Sequence, residues 1–300
     1  MSSVGGLRVS CEVCGNSNTE LVGSKLGKWR QRPYRLRCCP ACHFSFVEDP
    51  DTDFASIYDE DYYAGRGADP YIDYEFEWFN QTTTVRQYEY RGVARIVGQL
   101  TSLNPETQWL DFGCGNGGLV SWVQKNAGCR AFGYDSGHIA ETARIRGVNV
   151  ISESELTEFN GKFDVITAIE MLEHIIDPVE TLTLIHRLLK PNGVFFYTTG
   201  NAKPHREHLL NWPYVCPEIH VSFYEPETMA LALRKVGFET TQHPFSRGFT
   251  EIIKYKVLKT LRLKRRNALV DLLPWGILAR LVDHRHGVSA FPIGIKSAEA

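Results

Sequence analysis

From Gln108 to Val236 the chain alternates two kinds of segment, and no other feature restricts its fold as much. Short apolar runs at Gln108–Phe112, Arg130–Tyr134, Val148–Ile151, Phe163–Ile169 and Val194–Thr198 have the length and composition of buried strands. Amphipathic stretches with helix signals lie between them. Leu119–Asn126 is followed by Gly128, and Ile139–Arg146 by Gly147. Asp177-Pro178-Val179-Glu180 supplies an N-cap acid, a proline at N1 and a glutamate at N3. The helix it opens is expected to reach Lys190, where Pro191-Asn192-Gly193 stops it. Pro226 opens another, to Val236. Strands separated by helices need crossover connections, so the expected class is α/β with a mostly parallel sheet. One more helix is predicted from Phe76 to about Leu100, and Ser289–Lys296 is a candidate terminal strand.

The first strand leads into a glycine-rich turn, Asp111-Phe-Gly113-Cys114-Gly115-Asn-Gly117, and then a helix. Glycines there permit positive φ and close approach of a ligand to backbone. The second strand ends in Asp135, placed to accept hydrogen bonds from two ribose hydroxyls. The leading Asp111 disfavours a pyrophosphate at the turn. It suits a cation, such as the ammonium and sulfonium of S-adenosylmethionine.

Trp109-Leu-Asp-Phe-Gly-Cys-Gly-Asn-Gly117, Tyr134-Asp135, Phe163–Glu170 and Leu188–Phe195 together resemble the Rossmann-like S-adenosylmethionine-dependent methyltransferases, in the order that family has them. The resemblance covers about residues 104–240 and implies a three-layer αβα sandwich. It implies that Asp111, Gly113, Cys114 and Gly115 line the methionine part of the cofactor and that Asp135 holds the ribose. It also implies that Glu153, after the third strand, faces the adenine, although Ser152-Glu-Ser-Glu155 offers two acids.

Five of the eight cysteines fall in the first 42 residues. Cys11-Glu-Val-Cys14 and Cys39-Pro-Ala-Cys42 are two CxxC turns, which together offer four thiolates to one ion, with zinc the expected choice. A redox pair or free buried thiols are the other readings. Tyr34–Phe46 resembles the second half of the zinc ribbon that precedes a group of sugar- and natural-product-modifying methyltransferases. Ile57-Tyr-Asp-Glu-Asp-Tyr-Tyr63 resembles that group as well, which usually has Gly where this chain has His43. The expected division is a zinc ribbon at 1–48, a connector and helical segment at 49–103, and a methyltransferase domain at 104–300.

Methyl transfer needs an aligned acceptor and a group that removes its proton. Two segments fall beyond the ends of the fourth and fifth strands, Glu170-Met-Leu-Glu173-His174 and Glu218-Ile-His220. His220 is the expected general base, with His174 and Glu170 beside it; the alternatives make His220 a helix-capping loop residue and His174 a turn-fixing one. The Glu-x-x-Glu-His spacing with a later His also resembles the Mg²⁺ site of small-RNA 2′-O-methyltransferases and a stretch of ubiquinone-pathway O-methyltransferases. His205 and His208 are read as solvated, the alternative being a place in the acceptor pocket.

Residues 248–287 carry nine basic residues against three acids, a local charge of +6, with leucines interleaved. A basic insertion with a solvated face is expected there; the sharper reading is a lid for an anionic acceptor, or a peripheral membrane contact through 254–280. Hydrophobic residues are 43% and charged residues 23%, which excludes a largely disordered chain, and a net charge of −2 excludes a wholly basic nucleic-acid binder. No apolar run approaches the roughly 18 residues of a spanning helix, and Met1–Gly6 lacks a signal-peptide pattern, so a cytoplasmic location is expected. The expected activity is methylation of a hydroxyl, or of an activated carbon, on a sugar-like or natural-product acceptor. An Mg²⁺-assisted RNA 2′-O-methyltransferase and a non-catalytic cofactor-binding module are the alternatives. The acidic, Tyr-rich connector argues against RNA.

Overall fold

A computed structural model describes residues 9–53, 56–67 and 72–298, so Met1–Gly6 lies outside the described residues. An antiparallel meander comes first, of β1 (Glu20–Leu26), β2 (Pro33–Cys38) and β3 (Ser45–Val47). Two short helices follow, α1 (Glu60–Tyr63) and α2 (Tyr74–Phe79). Each is opened by an aspartate, Asp59 or Asp73, whose side chain accepts a backbone N–H three residues on. α3 spans Arg86–Leu100. The single helix expected from Phe76 to Leu100 is therefore interrupted. Asn80 caps α2, and Thr83 and Thr84 turn back to its carbonyl. The intervening Gln81-Thr-Thr-Thr84 run is rich in β-branched residues, which lose rotamer freedom in a helix.

The alternating region follows its pattern. It comprises β4 (Gln108–Phe112), α4 (Gly118–Asn126), β5 (Arg130–Tyr134), α5 (Ile139–Ile145), β6 (Val150–Ile151) and β7 (Phe163–Ile169). Next come α6 (Pro178–Leu188), β8 (Leu189–Thr198), β9 (Ser222–Phe223) and α7 (Pro226–Lys235). Asp177 caps α6 as expected, accepting from the Glu180 N–H at 2.9 Å. The helix stops two residues before Lys190, and Pro191-Asn192-Gly193 lies inside β8 as an irregularity, with Asn192 at φ 61°. The chain closes with β10 (Phe238–Thr241), α8 (Arg247–Thr260), α9 (Ala268–Asp271), α10 (Trp275–His286) and β11 (Ile293–Lys296).

Seven strands form one sheet in the order β10-β11-β8-β7-β4-β5-β6. The five from β4 to β8 are parallel, and the terminal strand β11 enters antiparallel between β8 and β10. Alternate residues of each strand feed opposite layers. Leu110, Ile166 and Phe195 pack with Leu182, Ile185, Met229 and Leu233 of α6 and α7. Trp109, Val165 and Phe196 pack with Val93, Ile96, Val120 and Ile252 of α3, α4 and α8. The result is an αβα sandwich.

Two expectations about organisation change. Residues 248–260 do not form an inserted, solvated face. α8 is a core helix whose Phe249, Ile252, Ile253, Tyr255 and Leu258 are buried. It crosses α3 at paired glycines, where a Cβ on Gly92 would lie 2.6 Å from the Gly248 carbonyl. Position 48 also does not isolate the ribbon, because β3 pairs with β9 and makes it the fourth strand of the small sheet.

Candidate active site

β4 is flanked by β5 on one side and β7 on the other, so the strand order reverses between β4 and β7. A crevice opens beyond the carboxyl ends of strands at such a switch point. Gly113, Gly115 and Gly117 follow β4 with φ of 83°, 52° and 78°. Any Cβ at Gly113 would run into Met171, and one at Gly115 would lie 3.2 Å from Tyr74. A side chain is thus excluded at Gly113, whereas at Gly115 it would crowd Tyr74 and take a positive φ. Asp135 ties this turn to the loop after β5, accepting the Gly115 N–H of the turn at 2.9 Å and the Gly137 N–H of its own loop at 2.8 Å.

Asp111 is buried and accepts from Thr167 Oγ1 at 2.9 Å, while Trp109 Nε1 donates to the same hydroxyl at 3.0 Å. Burial pushes its carboxyl up to about 7. A cationic group in the crevice would offset that cost, so the donor set fits the positive end of S-adenosylmethionine. Cys114 is buried beside the turn. Glu153 is exposed after β6, whereas Glu155 folds back to accept from the Ser152 N–H and hydroxyl at 2.8 and 2.6 Å.

The segment after β7 carries the second group of residues. Glu170, at φ 52°, faces Lys256 of α8 at 2.6 Å. Burial opposes ionisation of Glu170, but the Lys256 ammonium outweighs it and holds the carboxyl at about 2. Glu173 is buried and accepts from Tyr214 OH at 2.5 Å and Thr199 Oγ1 at 2.9 Å. Burial and the neighbouring Glu170 push its carboxyl up. The rings of His174 and His220 meet edge to face, with centroids 4.9 Å apart. His220 Nδ1 lies 2.6 Å from the Tyr214 carbonyl. A carbonyl only accepts, so Nδ1 carries the proton and the neutral ring has its lone pair on Nε2. Ligand atoms of Glu173, His174 and His220 lie within 4.8 Å of one another. Glu170 turns to Lys256 instead and is not in that group.

Several residues at the site were not singled out from sequence. Tyr58 OH bonds His174 Nδ1 at 2.8 Å. Tyr63 packs edge to face on Tyr74 and His138, and Asn116 Nδ2 donates to the Tyr74 carbonyl at 2.7 Å. The connector supplies Ile57, Tyr62 and Tyr63 to a buried cluster with Ile139 and Ile219. The available signal was its aromatic spacing, Tyr58, Tyr62 and Tyr63 in a short capped turn. His205 stacks on Trp212, with centroids 4.5 Å apart, rather than standing solvated.

The four expected cysteines converge. Sulfur separations are 3.4 Å for Cys11–Cys42 and 3.5 Å for Cys14–Cys39, and all four lie within 4.8 Å. A disulfide needs about 2.05 Å, whereas zinc–sulfur bonds of about 2.3 Å give tetrahedral edges of about 3.8 Å. The geometry therefore fits a four-thiolate ion site. His43, where related ribbons have Gly, adopts φ 60°, the conformation that favours glycine. Cys38 bonds the Cys39 carbonyl and stays outside the cluster.

The methyltransferase-domain family matches residues 85–243, more than half of the chain. Among curated proteins, the ubiquinone biosynthesis O-methyltransferase of Pseudomonas aeruginosa (strain UCBPP-PA14) is 36% identical over 105 residues, 32% of this chain and 45% of that protein. That of Bordetella bronchiseptica is 32% identical over 150 residues, 44% of this chain and 62% of the other. The chain thus spans about half the length of the curated relatives it matches. Among solved structures, Haemonchus contortus phosphoethanolamine N-methyltransferase 2 with S-adenosyl-L-methionine superposes with a TM-score of 0.51 at 19% identity, covering 84% of this chain and 62% of that one. A chain from the complex of the Haloferax volcanii Trm112 methyltransferase activator with its methyltransferase gives 0.51 at 15% identity, covering 80% and 99%. These likenesses agree with the sheet order and layers described above. The chain belongs to the methyltransferase-domain family and has the Rossmann-like fold of S-adenosylmethionine-dependent methyltransferases.

Proposed function

We propose that the protein is an S-adenosylmethionine-dependent methyltransferase acting on a hydroxyl of a small sugar-like or natural-product acceptor, with His220 as general base. When bound, S-adenosylmethionine supplies a methyl group activated by a sulfonium. Asp111, Gly113, Cys114 and Gly115 would line its methionine part, and Asp135 the ribose. Glu153 would stand on the adenine side, because Glu155 is engaged by Ser152. The observation that carries the reading is the setting of His220. Its Nδ1 bond to Tyr214 puts the basic lone pair on Nε2, and its neighbour His174 belongs to the loop whose Met171 closes on Gly113. The relatives' name, O-methyltransferase, supports oxygen as the accepting atom. The ribbon's resemblance supports the sugar-like class. The four cysteines would hold a closed structural zinc with no position for substrate.

A second reading has one observation in its favour, the grouping of Glu173, His174 and His220 at metal-ligand distances. A divalent ion there would lower the pKa of a bound acceptor hydroxyl. Both Glu173 oxygens already accept hydrogen bonds, which favours the metal-free reading.

Labelled S-adenosylmethionine offered with nucleotide sugars, glycolipid extracts and small RNAs separates these readings. The sugar-containing pools should gain label, and EDTA should not prevent it. His220→Ala should keep cofactor affinity while kcat falls by roughly 10²–10⁴-fold. Turnover abolished by EDTA and restored by Mg²⁺ would instead establish the metal reading. An unchanged kcat in His220→Ala would remove His220 from the chemistry.

A further inference from the structure

We propose that the face formed by α9 and α10 docks on an anionic lipid bilayer, with lipid phosphate received in a cationic cavity between α3, α8 and α10. The cavity has a volume of about 710 Å³. Arg247, Thr250, Glu251 and Lys254 line it at helical spacing and so share one face of α8. Lys256, which reaches Glu170, projects from another face, so the cavity is separate from the candidate active site.

Six cations line the cavity, Arg91, Arg95, Arg247, Lys254, Arg266 and Arg280, against the carboxylates of Glu251 and Asp271. Glu251 pairs with Arg91 and Arg95, and Asp271 with Lys254 and Arg266. Arg247 and Arg280 have no carboxylate partner among the described residues. Ser246 Oγ is buried at the start of α8, makes no capping bond, and has no hydrogen-bond partner. Arg91 Nε is buried and unpartnered as well. An excess of guanidinium groups beside orphaned polar atoms and the open N–H groups of a helix start matches the oxygens of a phosphate.

The surroundings say which kind of phosphate. Seven of the fourteen large hydrophobic residues exposed among the described residues fall between 261 and 281, so the exposure is concentrated beside this cavity. Leu269, Leu272, Ile277 and Leu281 are 74%, 81%, 64% and 63% exposed, and Leu273 lies on the cavity wall. Ile277 and Leu281 are one turn apart on α10. A soluble phosphoester would use the cavity and leave these side chains in water. A lipid surface engages both, with its headgroup phosphate among the arginines and its acyl boundary against the aliphatics. No helix among the described residues is long and apolar enough to cross a membrane, so the contact is peripheral.

The test is sedimentation of the full chain with vesicles of phosphatidylcholine alone or mixed with phosphatidylglycerol. Binding is expected to the mixed vesicles, weakening as salt rises. Arg266→Ala and Arg280→Ala should each weaken it roughly fivefold. The combined Leu272→Ser, Ile277→Ser and Leu281→Ser variant should weaken it by about tenfold or more. Calorimetric affinity for S-adenosylhomocysteine, equal to that of the parent, verifies that each variant is folded. No sedimentation of the parent with anionic vesicles would overturn the proposal, as would full binding by the serine variant. Glycerol phosphate bound calorimetrically in the absence of vesicle binding would also overturn it, and would make the cavity a site for soluble phosphoesters.

Discussion

Asp111 is a carboxylate in a place where water cannot support its charge, and its one hydrogen bond from Thr167 does not compensate. With its carboxyl raised to about 7, the ligand-free protein holds a proton there over much of the acidic range. The sign follows from that. Because the folded value lies above the ordinary one, this group's contribution to stability is present at low pH and lost as pH rises through about 7. Cofactor binding has the opposite slope, since a cation nearby favours the ionised form and expels the proton. Affinity for S-adenosylmethionine should therefore increase as pH rises toward and through about 7. Asp111→Asn should lose that increase and bind about 1.5–3 kcal/mol more weakly above it, the scale of a hydrogen bond to a charged group. Calorimetry across pH, parent against variant, provides the check, because the ligand's own titration is common to both. Equal slopes would mean that Asp111 does not face the cation.

At the scale of elements, the small sheet and the active-site loop are one construction. β9 begins two residues after His220 and pairs with β3, and the Val221 N–H and carbonyl bond Glu173 and Val47. On the other side of His220, Glu218 accepts the backbone N–H groups of Lys28 and Trp29 at 2.9 and 2.7 Å, and that of Arg30, in the β1–β2 turn. The ribbon thus grips the loop on both flanks of its histidine. With zinc held by the four cysteines as proposed, Cys14→Ser should release it and lower kcat more than tenfold, a size that small misplacements of a reacting group produce. Affinity for S-adenosylhomocysteine should stay near that of the parent. Metal analysis with steady-state kinetics decides, and metal loss with kcat unchanged would detach the ribbon from the chemistry. This coupling was not legible in the sequence, where the two CxxC turns and His220 stand about 180 residues apart. The glycine turn and the Asp177 cap were legible because their signals are local, spacing and turn residues within a few positions, and Asp135 was legible only as the acid that follows the second strand. The burial of α8 was not, because its lysines flank an apolar stripe whose partner, α3, lies about 150 residues earlier.

Over the whole molecule, the sheet provides a rigid floor at the β4/β7 switch point, and the chain before it provides the roof. Residues 56–67 and 72–79 contribute Tyr58 to His174, Tyr63 to His138, and Tyr74 to the Gly115 turn. The two parts differ in how they are held. β7 is paired on both sides and buried along most of its length. α1 has four residues, α2 has six, and α2 has no buried residue. Helices this short are marginal by themselves and open at low free-energy cost, whereas a central strand opens only with global unfolding. If the proposed cofactor lies at that switch point, these contacts stand over it, and a bound ligand should favour their closed arrangement. Hydrogen exchange followed by mass spectrometry should therefore show amides of 56–67 and 72–79 slowed by S-adenosylhomocysteine. At 100 times the dissociation constant the ceiling is about 100-fold, since binding to the closed state alone adds about 2.7 kcal/mol to opening. Exchange in β7 should respond only as far as it proceeds through global opening. Tyr63→Ala should reduce the protection of 56–67 and weaken cofactor binding together, because both depend on the same closed contact. Ligand-independent exchange across 56–67 and 72–79, with the cofactor demonstrably bound, would show that these residues do not close over it.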